Sequence, residues 1–150
     1  MKALIQRVSR GSISVDGKVE ADIGRGFVVL LGVMVGDGEK DAEYLARKTV
    51  NLRIFPDAEE RMNLSIQDVG GEILVISQFT LCANTRKGNR PSFIDAAEPD
   101  IAKELYEAYT KSLRQVLGDA RVVTGIFRAM MTVEIINEGP VTIELRSDGE

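Results

Sequence analysis

The chain has 150 residues, a net charge of −4, 44% apolar residues, one cysteine (Cys82) and no histidine. That is the size and composition of one globular domain with a packed core. It excludes a disulfide framework and any Ser-His or Cys-His catalytic pair, speaks against a zinc site, and confines any nucleic-acid contact to a local basic patch.

Met1 to Arg7 carries two charges and no signal-peptide apolar core, and the longest apolar run, Phe27 to Val35, is too short to span a bilayer. The expectation is a soluble, cytoplasmic protein with no membrane partner. Ala3 to Val8 reads as a strand. Ser12–Val15 and Lys18–Ala21 face each other across Asp16-Gly17, a strong hairpin signal. Gly26 to Val35 reads as a buried central strand. Asp37 is the expected cap of a helix that repeats Ala42, Leu45, Thr49 and Leu52. Arg53-Ile54-Phe55 is short and extended, Asp57 to Asn63 a polar turn, and Leu64 to Val69 a brief strand. Glu72 to Phe79 is a strand and Cys82 to Pro91 a loop. Glu98-Pro99 opens the clearest helix, with Ile101, Leu105, Tyr109, Leu113 and Val116 inward and Gly118 closing it. Arg121–Val123, Met131–Ile136 and Val141–Leu145 are strands, the last two joined by a turn at Glu138-Gly139-Pro140.

Strands outnumber helices, and several are joined by hairpins. The pattern predicts one α+β domain over residues 1–150, with a curved, largely antiparallel, barrel-like sheet and two main helices. Two helices cannot cover every apolar strand face, so the expected state is a homodimer.

Three stretches invite a functional reading. Ser77-Gln78-Phe79-Thr80-Leu81 ends a strand with two hydroxyls and an amide. Either Phe79 and Leu81 pack there while the polar groups satisfy backbone, or the stretch is an acyl or phosphoryl site. An unassisted Thr80 hydroxyl is a poor nucleophile; Ser77, Gln78 and the nearby N–H groups suit an oxyanion or carbonyl better. Thr85 to Arg90 contains Arg86, Lys87 and Arg90 around Gly88, either a solvated loop or a holder for an anionic substrate tail. Gly139-Pro140 is either an ordinary hairpin turn or a wall of bare main chain. No metal or cofactor motif stands out: Gly24-Arg25-Gly26 lacks a third glycine and leads into a strand.

Ser77-Gln78-Phe79-Thr80-Leu81 and Gly139-Pro140-Val141-Thr142 together resemble the two signature motifs of D-aminoacyl-tRNA deacylases, the D-tyrosyl-tRNA deacylase family. Flanking matches run along the chain: Ile5 to Val8, Arg53 to Phe55, Met62-Asn63, Arg90 to Phe93, Ala129, Met131 and Asn137. The length also fits a family member with no extra domain. The resemblance implies a cofactor-free, homodimeric hydrolase that cleaves the ester between a D-amino acid and the 3′-terminal adenosine of tRNA. Glycyl-tRNA mischarged on tRNA-Ala is a further expected substrate. By the same resemblance, Ser77, Gln78, Phe79 and Thr80 form the catalytic pocket. Gly139-Pro140 of the partner subunit, as a cis peptide, rejects L-substrates there; Arg7 holds that motif, and Phe127 and Met131 lie nearby. Arg86, Lys87 and Arg90 are the expected tRNA contacts. Catalysis is either covalent through Thr80 or assisted by the substrate's 2′-hydroxyl. Two departures stand out: Arg128, where the family usually has glycine or alanine, and Glu138 in place of aspartate. Two other readings are a non-catalytic RNA-binding dimer and a dimeric structural protein.

Overall fold

The structure, a computed structural model, describes residues 1–148. Strand β1 (Lys2–Val15) is long enough to serve two neighbours on one side. Its second half pairs antiparallel with β2 (Lys18–Ile23) across the Asp16-Gly17 turn, and its first half with β3 (Gly26–Gly32). On its other side it pairs antiparallel with β8 (Thr132–Arg146). Beyond β3 the sheet turns parallel: β3 pairs with β6 (Glu72–Ser77), and β6 with β7 (Val122–Thr124). The sheet is therefore mixed and nearly closed, antiparallel around β1 and parallel at β3-β6-β7. Helix α1 (Glu39–Asn51) lies on the path from β3 to β6 and α3 (Pro99–Leu117) on that from β6 to β7, because parallel neighbours need long crossovers. A small hairpin of β4 (Phe55–Pro56) and β5 (Met62–Leu64) and the one-turn α2 (Ile66–Val69) complete the elements.

Side-chain alternation sorts the apolar residues between two faces. Phe27, Val29, Leu31, Ile73 and Val75 point to the helices, where Leu45, Tyr109 and Leu113 bury against them. Val28, Leu74 and Ile76 point to the other face, with Val8, Ile13 and Ile23, and Met131, Val133 and Ile135 pack over them. The two long helices are also joined by a buried hydrogen bond between the Thr49 and Tyr109 hydroxyls, at 2.8 Å. Strands β3 and β6 start so close together that a Cβ on Gly26 would stand 1.8 Å from the Glu72 carbonyl oxygen, so only glycine fits.

Several sequence expectations need correction. The apolar run from Gly26 leaves the strand at Gly32, and Val35 is exposed. Helix α1 starts after Gly38, not Asp37. Asp41 reaches back to the Gly38 N–H at 2.8 Å, while Asp37 accepts the Met34 N–H and the Met1 ammonium, each at 2.6 Å. Residues 66–69 are a helical turn and not a strand, because Ser65 and Asp68 form a capping box. The buried face of α3 is rotated: Leu105, Tyr106, Tyr109, Thr110, Leu113 and Leu117 point inward, whereas Ile101 and Val116 are exposed. Residues 138–140 are no hairpin turn; they lie inside one continuous strand that pairs with β1 on both sides of them.

Candidate active site

Strand β6 carries the buried run Ile73–Ile76 and stops at Ser77, which pairs with Leu31. The Gln78 N–H still donates to the Leu31 carbonyl at 2.8 Å, and Phe79–Cys82 then coil into one 3₁₀ turn. The expected strand through Phe79 therefore ends two residues early. The turn is fastened at its far end, where the Cys82 thiol donates to the Val33 carbonyl at 3.4 Å and Lys2 Nζ to the Leu81 carbonyl at 3.3 Å. Burial pushes the Cys82 thiol pKa up, as suits an inert, packed side chain. Gln78 Nε2 donates to the Thr80 hydroxyl oxygen, which fixes both side chains on one exposed surface. The N–H groups of Phe79 and Thr80 open the turn, where helical geometry supplies no internal acceptor. Phe79 is 56% exposed, and its ring meets that of Phe93 edge-on at 4.9 Å.

Residues 125–131 run past the same end of the sheet. Gly125 N–H donates to the Val75 carbonyl at 2.9 Å, two residues before Ser77. Phe127 leans on Tyr106 with ring centroids 5.8 Å apart, and the Tyr106 hydroxyl donates to the Val75 carbonyl at 2.9 Å. Burial raises the Tyr106 pKa to about 12, so the phenol stays neutral and acts as a strut. Tyr106, Phe127, Thr124 and Arg114 line a hollow of about 270 Å³ beside this segment. Ser77 to Thr80 are not part of it. Arg128, exposed, has φ +66°, the left-handed region where glycine is at ease. That explains why glycine suits the position, and the exposure of Arg128 leaves its cation in solvent. Met130, beside it, is 90% exposed.

The basic loop is tied at its base by the paired Asn84 and Ser92, whose main chains exchange hydrogen bonds at 2.8 and 2.9 Å. Arg86, Lys87 and Arg90 project from it into solvent, and none forms an ion pair among the described residues.

The second group sits across the sheet. Gln6 is opposite Thr142 and Val8 opposite Asn137, so the single residue Arg7 faces the four residues 138–141, which arch out as a wide bulge. Arg7 is 9% exposed and fills the space beneath. Its Nε donates to the Glu138 carbonyl at 2.9 Å and its Nη1 to the Ile54 carbonyl at 2.6 Å. The Gly139–Pro140 peptide is cis. Gly139 has φ +138°, and a Cβ there would fall 2.7 Å from Val141 Cγ2 and 3.1 Å from Arg7 Nη2. The Asn137 carboxamide closes the neck, with Oδ1 accepting the Val141 N–H at 2.8 Å. In the sequence Asn137 is only a flank of the motif; an asparagine four residues before a β-branched strand residue is the available signal.

The structure thus makes two groups of the residues singled out in the sequence. Ser77, Gln78, Phe79, Thr80, Phe127 and Met131 share the end of β6 and β7, outside the carboxyl ends of parallel strands, a usual place for ligands. Arg7, Gly139 and Pro140 form the other group. Ser77 is in register with Leu31 and hence with Ala3, four residues along β1 from Arg7. In the sheet order, β1 and β3 lie between the strand that bears the bulge and the strand that ends at Ser77. Among the described residues no group of three or more His, Cys, Asp or Glu side chains converges as a metal site, and no helix is long and apolar enough to cross a membrane.

The comparisons with known proteins extend along nearly the whole chain. A sequence profile described as D-Tyr-tRNA(Tyr) deacylase matches residues 4–146. A relative from Roseiflexus castenholzii named D-aminoacyl-tRNA deacylase is 58% identical, over 98% of this chain and 92% of its own. One of the same name from Carboxydothermus hydrogenoformans is 52% identical, over 95% of this chain and 97% of its own. A solved structure described as c-Myc DNA Unwinding Element Binding Protein superposes with a TM-score of 0.93 at 42% identity, covering 97% of this chain and 98% of that one.

Proposed function

The chain belongs to the D-Tyr-tRNA(Tyr) deacylase family, and from that membership we infer that it hydrolyses the ester joining a D-amino acid to the 3′-terminal adenosine of tRNA. One observation carries the reading onto this molecule: both family motifs are ordered by contacts of their own, one as a strand-end turn, the other as a braced bulge.

The chemistry follows from what the turn offers. The N–H groups of Phe79 and Thr80 open outward and stabilise negative charge on the ester carbonyl oxygen as it is attacked. Water adds to the carbonyl carbon, the bond to the ribose oxygen breaks, and the proton passes to that oxygen; the products are the free D-amino acid and tRNA. With no imidazole anywhere in the chain, the 2′-hydroxyl next to the ester assists the attack, and the protein contributes position. Thr80, whose oxygen is engaged by Gln78, shapes the pocket without forming a covalent bond.

The separation of the two groups supports a homodimer. In the sheet order β1 and β3 stand between the bulge on β8 and the turn that follows β6, and on this reading a second copy supplies Gly139 and Pro140. The exposed apolar residues Phe79, Ile126, Met130 and Ile136 fit a surface that such a copy covers. With the substrate's ammonium and carbonyl fixed, L and D esters differ in the direction of Cβ. One direction is open, and the other meets the unyielding main chain of the bulge, which rejects the L form by clash. Glycyl-tRNA, without a Cβ, passes in part. Arg86, Lys87 and Arg90, exposed and without ion pairs among the described residues, hold the phosphates of the tRNA end. Its substrate places the enzyme in the cytoplasm.

The deciding assay incubates D-tyrosyl-tRNA and L-tyrosyl-tRNA side by side. The D form is deacylated and the L form spared. Intact D-tyrosyl-tRNA after prolonged incubation, with retained binding, would instead favour a non-catalytic nucleic-acid-binding role. A single-subunit mass in solution would remove the cross-subunit wall.

A further inference from the structure

We propose that Asn137 is a positioning residue for the enantiomer filter, its carboxamide holding the neck of the bulge at the width that presents Gly139 and Pro140. This rests on the reading of the bulge as the filter. In a regular ladder each residue facing β1 would have one opposite partner; here Arg7 alone faces residues 138–141. Val141 thereby has no opposite residue in the pairing with β1, and the Asn137 side chain bonds both its main-chain N–H and its carbonyl. Its Oδ1 accepts the Val141 N–H at 2.8 Å, and its Nδ2 donates to the Val141 carbonyl at 3.3 Å. Nδ2 also donates to the Thr142 hydroxyl at 3.0 Å, and Gln6 Nε2 reaches that same oxygen at 3.4 Å from β1.

The carboxamide thus behaves as a peptide unit inserted between residues 137 and 141, with one acceptor and one donor in the right order. Aspartate has the same shape but no donor, and alanine has neither group. Arg7 reaches the bulge from beneath through the Glu138 carbonyl, so Arg7 and Asn137 hold different sides of it. Loosening the neck leaves the arch attached but lets the wall yield, and a wall that yields admits an L side chain.

The test measures kcat/KM for D- and L-tyrosyl-tRNA in Asn137→Ala, Asn137→Asp and Gly139→Ala dimers. Losing the two hydrogen bonds to the Val141 main chain, with the exposed one to Thr142 adding little, corresponds to about ten- to thirtyfold in the D:L ratio for Asn137→Ala. Asn137→Asp falls between it and the parent. The loss comes chiefly from faster L-ester cleavage, which a general fall in stability would not produce. A folded Asn137→Ala with the parental ratio, beside a Gly139→Ala whose ratio collapses, overturns the role of Asn137 and leaves the filter standing. Parental ratios in all three overturn the filter itself. Where Asn137→Ala does not fold, Asn137→Asp decides on the same ratio. In the unsubstituted protein the Val141 amide exchanges slowly with deuterated solvent; exchange at the rate of an unstructured peptide refutes the clamp.

Discussion

Removing the Arg7 guanidinium is the most direct test of how the bulge is held. Arg7→Met keeps length and apolar stem and deletes the charge. Two charge-assisted hydrogen bonds disappear, to Glu138 O and Ile54 O. Bonds of this kind contribute about 1.5–3 kcal/mol each. The two carbonyls do not suffer equally. Glu138 is exposed and its carbonyl regains water; Ile54 is 4% exposed and its carbonyl does not. No carboxylate pairs with Arg7 among the described residues, so removing a buried charge returns part of the loss. The net expectation is near the lower sum, about 3 kcal/mol. For a chain of this size that corresponds to a Tm lower by about 6–12 °C. Arg7→Lys, with one point charge for two carbonyls, falls between. Calorimetry gives the Tm, and parallel D- and L-tyrosyl-tRNA assays give the selectivity, which declines with it. A Tm within 2 °C of the parent (~2 °C is under 1 kcal/mol) together with intact selectivity would refute the clasp.

Thr80→Ala is expected to keep its rate within about tenfold, against about 10²–10³-fold for loss of an oxyanion donor the reaction needs. An acyl-enzyme trapped in the parent and absent from this variant would establish the covalent route instead. Replacing Arg86, Lys87 and Arg90 together with alanine raises KM and flattens its salt dependence, by about 0.7–0.9 in log-log slope for each phosphate no longer neutralised, with kcat little changed. Arg128→Gly relieves a left-handed side chain and stabilises the fold by about 1 kcal/mol, read as a Tm rise of about 2–4 °C. Acid denaturation follows the carboxylates. Hydrogen bonds from the main chains of Gly38, Arg61 and Ser65 hold Asp41, Asp57 and Asp68 below their ordinary value of 3.8. Groups lowered in the folded state stabilise it above 3.8, and that contribution disappears as pH falls below it; a denaturant titration at pH 5 and pH 3 reads the difference.

What the sequence could disclose was set by how local each signal is. The Asp16-Gly17 hairpin, the two long helices and the hydroxyl-bearing strand end follow from a few adjacent residues. The Ser65–Asp68 capping box is equally local, but the apolar Leu64, Ile66 and Val69 read as a brief strand and mask it. The sequence shows helix α3 but not its rotation, because Ile101 and Val116 fit the apolar spacing and only the tertiary arrangement shows that Tyr106 and Leu117 are inside. The parallel half of the sheet depends on pairings between strands 46 or more residues apart, which spacing cannot show. Residues 138–140 resemble a hairpin because glycine and proline mark turns. What keeps the strand in register past them is Arg7 in β1, more than 130 positions earlier, and the side-chain amide of Asn137.

The pairing of β1 with β8 joins Lys2 to Arg146, nearly the longest separation the chain allows. Closing such a loop is entropically slow and requires both partners to exist. During synthesis the Ser77–Thr80 turn can settle on β3 and β6 well before residues 137–142 have left the ribosome. On the proposed reading, a nascent or truncated chain therefore orders its ester-binding surface first and its stereochemical discrimination last, once β8 has closed onto β1.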